Sequence, residues 1–120
     1  SVNIRTFTKF KMRISEEDLR KLEEHVKNNP DNIDYLDWAA FAFYSNGLFG
    51  KAIQAYRRLI TFRPDNASYH YYLANSLFKN GELDPARLEW EKVIRIDTRG
   101  QFAVRSRRKL NQIEQTIEEV

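Results

Sequence analysis

Few residues in this chain could make or break bonds, and those that could are scattered. His25 and His70 have no cysteine nearby, no second histidine at ligand spacing and no carboxylate partner suggested by the sequence. The expectation is one surface histidine and one at a helix interface. Cysteine is absent, which removes disulfides and zinc–thiolate sites. No glycine-rich phosphate loop, metal motif or nucleophile–base pair occurs. No catalytic residue, metal or cofactor is therefore assigned. Arg105, Arg107, Arg108 and Lys109 could meet phosphates. Nucleic-acid recognition normally uses a wider stripe and a groove-reading element. The plainer reading is a solvated helix face. A nucleic-acid accessory module using this basic helix is the alternative.

The elements that hold these side chains repeat. Pro30 and Pro64 are thirty-four residues apart, as are Gly47 and Gly81. The same step carries Asp31-Asn32 onto Asp65-Asn66, Tyr35 onto Tyr69, Ala40 onto Ala74, Asn46 onto Asn80 and Ala52 onto Ala86. A period of this size marks stacked helical hairpins, because one hairpin cannot bury its apolar face alone. Ser15-Glu16-Glu17-Asp18 fits a capping box, predicting a helix to about Asn28 with Leu19, Leu22 and Val26 as its apolar stripe. Asp31 or Asn32 caps a helix to about Asn46, and Gly47 ends it. Its partner runs from about Gly50 to Phe62. Asn66 opens the next helix, to Asn80, and Asp84-Pro85 opens the one after, to about Ile96. Thr98 stands where a third closing proline would be. A last helix spans about Gln101 to Glu119, with Phe102, Val104, Leu110, Ile113 and Ile117 as its sparse apolar side.

The expected organisation is an extended arm or linker over residues 1–14 and a single domain over 15–120. The domain divides into a half-unit (15–30), two repeats (31–64 and 65–98) and a capping helix (99–120). At 120 residues, 42% of them apolar, the chain is long enough for one core. No apolar run is long enough to span a membrane and no signal peptide is visible. The chain starts at Ser1, as an excerpt of a longer protein would, and the default compartment is cytoplasmic. The formal charge of +3 is unevenly spread. Arg5, Lys9, Lys11 and Arg13 form one basic end, Arg99 to Lys109 the other, and acids from Glu16 to Asp37 lie between. Such a distribution suits surface complementarity or head-to-tail contact of copies, so a homo-oligomer stacked end to end is one expectation.

The residues within each period resemble the tetratricopeptide repeat. The first unit matches at Leu36, Ala39-Ala40, Phe43, Ala52, Tyr56 and Pro64. The second matches at His70, Leu73-Ala74, Leu77, Ala86, Trp90 and Thr98. The resemblance implies an all-α fold, a right-handed α-solenoid of antiparallel hairpins, and a non-catalytic role in protein–protein contact. It also implies an inner face lined by the first helix of each hairpin, where a peptide or helix segment of a partner is held. Carried onto this sequence, that face selects Asp34, Asp37, Phe41 and Tyr44, then Ser68, Tyr71, Tyr72, Asn75 and Phe78, with Phe102, Arg105 and Lys109 from the last helix. Aromatic rings give such a trough large contact area at low entropic cost. Asn75 is the sharpest candidate, since the family's inner-face amide commonly bonds a ligand backbone. The carboxylate clamp that some members use for acidic chaperone tails is missing: Asp37, Phe41, Tyr72, Phe102 and Ser106 stand at its positions.

Overall fold

The computed structural model describes residues 14–118, so the expected arm lies almost wholly outside the described residues. Six helices follow in order: α1 Glu16–Asn28, α2 Ile33–Ser45, α3 Phe49–Phe62, α4 Ala67–Lys79, α5 Leu83–Ile96 and α6 Gln101–Glu118. No strand occurs among the described residues. The thirty-four-residue step survives to the single residue. It carries Ile33 onto Ala67 and then Gln101, and Asn28 onto Phe62 and then Ile96.

Local chemistry explains this fidelity. Asn32 Oδ1 accepts from the Tyr35 amide at 3.1 Å, and Asn66 Oδ1 accepts from the Tyr69 amide at 3.1 Å. Ser15 Oγ does the same for the Asp18 amide, also at 3.1 Å. Each cap satisfies an amide that the first helical turn leaves without a partner. Gly47 and Gly81 end α2 and α4 at φ 79° and 84°, a left-handed conformation costly for any residue with a Cβ. Beyond them the Leu48 amide returns to the Phe43 carbonyl and the Glu82 amide to the Leu77 carbonyl, each at 2.8 Å. These are matching Schellman closures. Pro85 falls inside the first turn of α5, which begins at Leu83, slightly earlier than the Asp84-Pro85 pair predicts.

The turns that close α1, α3 and α5 also match. Asn29, Arg63 and Asp97 adopt φ/ψ of −131/65°, −135/76° and −142/77°. The third keeps this shape although Thr98 replaces the proline that follows the other two.

Packing follows the sequence order, with each helix set against the next. In addition α2 packs on α4 and α4 on α6, whereas none of α1, α3 and α5 packs against another. The row α2, α4, α6 is therefore the inner side, and α1, α3 and α5 splay on the outer side. Ala39, Ala40, Ala52, Ala74, Ala86 and Ala103 are fully buried, which lets neighbouring helices approach to about 8–10 Å. Tyr56 and Trp90, one step apart, are both fully buried as the plugs of their hairpins. Truncating either to alanine would cost about 3–5 kcal/mol.

In α6 the expected apolar side is displaced. Val104 is 41% exposed, while Ala103 and Ser106 are fully buried. Val104 lies one step beyond His70, and Arg107 and Arg108 one step beyond Leu73 and Ala74. In α4 those positions are buried in a hairpin with α5. With no following helix among the described residues, the same positions of α6 face water, and the sequence places charge there.

Candidate functional site: the inner face

Aromatic residues from three helices meet along the inner row. Tyr72 of α4 is the centre, with ring centroids 5.2 Å from Phe41, 5.3 Å from Tyr44, 5.3 Å from Tyr71 and 6.0 Å from Phe102. Tyr71 and Phe102 lie 5.3 Å apart, and Tyr72 also stacks on the buried Tyr56 at 5.9 Å. Edge and tilted geometries of this type are favourable beyond the area they bury. Arg105 places its guanidinium carbon 5.4 Å from the Phe102 ring, a cation–π distance. Phe41 and Tyr71 are buried; Tyr44, Tyr72 and Phe102 are half-buried and carry the accessible surface of the seam. Burial raises the hydroxyl pKa of Tyr44 and of Tyr72, the latter against the opposing charge of Arg105. Both therefore remain neutral hydrogen-bonding groups.

The remaining expected site residues fall in particular places. Asp37 accepts from the Tyr69 hydroxyl at 3.1 Å, joining α2 to α4. Asn75 is buried, and its amide works inside the protein. Its Oδ1 accepts from Trp90 Nε1 at 3.0 Å and its Nδ2 donates to the Tyr44 hydroxyl at 3.3 Å. Phe78 and Lys109 stand away from the ring seam and line a cavity with Leu83, Trp90 and Ile113, of about 310 Å³. A second cavity, about 550 Å³, is lined by Phe41, Tyr44, Phe49, Tyr72 and Lys79. One thirty-four-residue step carries Tyr44 onto Phe78, Phe49 onto Leu83 and Lys79 onto Ile113. The two cavities are successive copies of one feature.

Phe49, Lys79 and Leu83 were outside the sequence-based selection, which drew the inner face from the first helix of each hairpin. Phe49 and Leu83 open the second helices. Their thirty-four-residue pairing was the available signal.

His70 lies at the interface of α4 and α5, and there it has a carboxylate partner that the sequence did not suggest. Its Nδ1 lies 3.2 Å from Glu89 Oε2 and its Nε2 lies 2.6 Å from the Pro64 carbonyl oxygen. Both neighbours are acceptors, so the doubly protonated ring satisfies both. Burial opposes that charge, but the bonds to Glu89 and Pro64 and the Glu89 charge outweigh it and hold the His70 pKa above its ordinary value. Burial likewise works against the Glu89 carboxylate, and His70 with Lys92 overcomes it, holding that pKa low. His25 is exposed and stacks on Tyr35 at 5.5 Å. No group of three or more His, Cys, Asp or Glu side chains converges among the described residues.

A family model described as TPR repeat matches residues 40–81. That span runs from the middle of α2 to the glycine after α4. The six helices fit a TPR-like, all-α repeat. A search of the curated proteins found no match. Repeats of the TPR type generally mediate protein–protein interaction and are typically non-catalytic. The matched span of this TPR-like chain includes Tyr44, Phe49, Tyr72 and Lys79 of the larger inner cavity. No helix among the described residues is long and apolar enough to cross a membrane.

Proposed function

We propose that the chain is a non-catalytic scaffold or assembly factor that holds a peptide or helix segment of another protein against the inner face. The domain reading belongs to this proposal: an extended arm or linker over residues 1–14, a half-unit over 15–30, repeats over 31–64 and 65–98, and a cap over 99–120. The observation that carries the binding reading is the pair of inner cavities related by one repeat, each with an aromatic wall, at Tyr44 and at Phe78. Neighbouring inner helices lie about 8–10 Å apart, so two apolar anchors at about that separation would enter both cavities. That is roughly three residues of extended chain or seven of helix. Tyr71, Tyr72, Phe102 and Arg105 form the surface between the anchors, while Asn75 and Asp37 hold Tyr44 and Tyr69 in place. Lys79 and Lys109 give each cavity a cationic rim.

The test compares partners recovered by the native protein with those recovered by Tyr44→Ala combined with Phe78→Ala. Loss of specific partners is expected. Recovery of the same set by both proteins would show that the inner face is not where they bind. Tyr71→Ala and Asn75→Ala are poorer probes, because both side chains are buried and their loss would disturb the fold.

A further inference from the structure

The outer side carries a different feature. Helices α1 and α3 do not pack on each other, and between them lies a cleft of about 660 Å³. Leu36 and Phe43 of α2 form its floor, with Val26 and Ala55 on the walls. Leu36 and Phe43 are two helical turns apart, about 10 Å, so the apolar strip is long rather than round.

The protein contains its own comparison for this cleft. One repeat on, Leu36 becomes His70 and Ala55 becomes Glu89. There the His70 imidazole bonds the Glu89 carboxylate through Nδ1 and the Pro64 carbonyl through Nε2. At the first position an aliphatic side chain and a methyl group replace that pair, and the apolar space stays open.

The rim is cationic. Lys27, Lys51, Arg57 and Arg58 line the cleft with the acid Glu23, and Arg58 also lies 3.9 Å from Asp31. Lys51 Nζ donates to Glu23 Oε1 at 2.8 Å and Arg58 Nη2 to the Pro30 carbonyl at 2.8 Å. Lys27 and Arg57 are exposed and, among the described residues, have no ion-pair partner. An apolar strip beside two unpaired cations, Lys27 and Arg57, is complementary to an apolar stripe flanked by carboxylates. We propose that the cleft between α1 and α3 is a second docking surface, for an acidic amphipathic segment of a partner protein. The segment's apolar side chains lie over Leu36 and Phe43, and its carboxylates pair with Lys27 and Arg57.

The probe is a fluorescently labelled amphipathic helical peptide with a leucine stripe flanked by glutamates, read by anisotropy. Its counterpart carries lysines in place of the glutamates. The acidic peptide should bind, and bind less well as salt is added. Lys27→Glu with Arg57→Glu, at exposed positions that leave the fold intact by circular dichroism, should weaken it about tenfold or more. Ala55→Glu, which copies the residue of the second repeat, should weaken it as well, whereas Phe78→Ala on the inner face should not. The proposal fails if the acidic peptide does not bind, if the lysine peptide binds equally well, or if charge reversal changes nothing. Preference for anionic phosphatidylglycerol vesicles over the peptide would also overturn it.

Discussion

Trp90 donates its indole N–H to Asn75 Oδ1 at 3.0 Å, in a site closed to solvent. The same amide donates onward to the Tyr44 hydroxyl at 3.3 Å, so one side chain ties α5 to α4 and α4 to α2. A residue that sequence reasoning marks as a ligand-reading amide is here a bracket that sets the position of the inner-face rings. Asn75→Ala should cost about 1–3 kcal/mol, because it strands a buried N–H donor. Urea denaturation measures this, and Trp90→Phe should cost less in the Asn75→Ala background than in the wild type. Equal costs in the two backgrounds would argue against the bracket.

The hydroxyl of Tyr56, one repeat before Trp90, is buried and finds no hydrogen-bond partner among the described residues. Burial pushes its pKa well above the ordinary tyrosine value. Tyr56→Phe should therefore be neutral or slightly stabilising, by up to about 1 kcal/mol, in contrast to the loss at Asn75. Thermal denaturation distinguishes the outcomes, and a clear drop in midpoint would mean the hydroxyl is satisfied after all.

The His70–Glu89 pair predicts a pH dependence with a definite sign. The folded pKa of His70 lies above its ordinary 6.5, so its contribution is complete below about that pH and fades as pH rises through the folded value. The folded pKa of Glu89 lies below its ordinary 4.5, so its contribution is complete above about that pH and fades on acidification. Lys92, 3.5 Å from the same carboxylate, adds to the second effect and opposes protonation of the ring. His70→Gln should cost about 1–3 kcal/mol between roughly pH 4.5 and 6.5. The difference from wild type should shrink on the alkaline side. A difference independent of pH would sink this account.

The turn after α5 invites a substitution that completes the pattern. Asp97 already has the backbone shape of Asn29 and Arg63, the residues that precede Pro30 and Pro64. No backbone hydrogen bond from the Thr98 amide is seen among the described turns. Thr98→Pro should stabilise the protein by about 0.4–1 kcal/mol by restricting the unfolded chain. A fall in the urea midpoint would show that the third turn differs from the first two.

Helix bounds were legible because their causes are short-range. Asn32 reaches Tyr35 and Asn66 reaches Tyr69, three residues on, and Gly47 and Gly81 mark the turns where the backbone goes left-handed. The site was legible in part. Phe41, Tyr44, Tyr71, Tyr72 and Phe102 do meet, since the repeat step alone puts them on one row of helices. Phe78 and Lys109 belong to the next cavity along, which becomes apparent only when α6 is set against α4 and α5.

By itself the amino-acid order determined the period, the caps, the closing glycines and the all-helical class, all consequences of contacts within a few residues or of one repeated spacing. Tertiary structure decided which polar groups are spent inside the protein and which surfaces remain open. Glu89 reaches His70 across nineteen residues, Val104 is exposed with no helix packed over it among the described residues, and Ala55 lines an open cleft where the next repeat sets Glu89 against His70. These outcomes depend on what stands opposite a side chain in space. Local propensity carries no information about that until the hairpins have stacked.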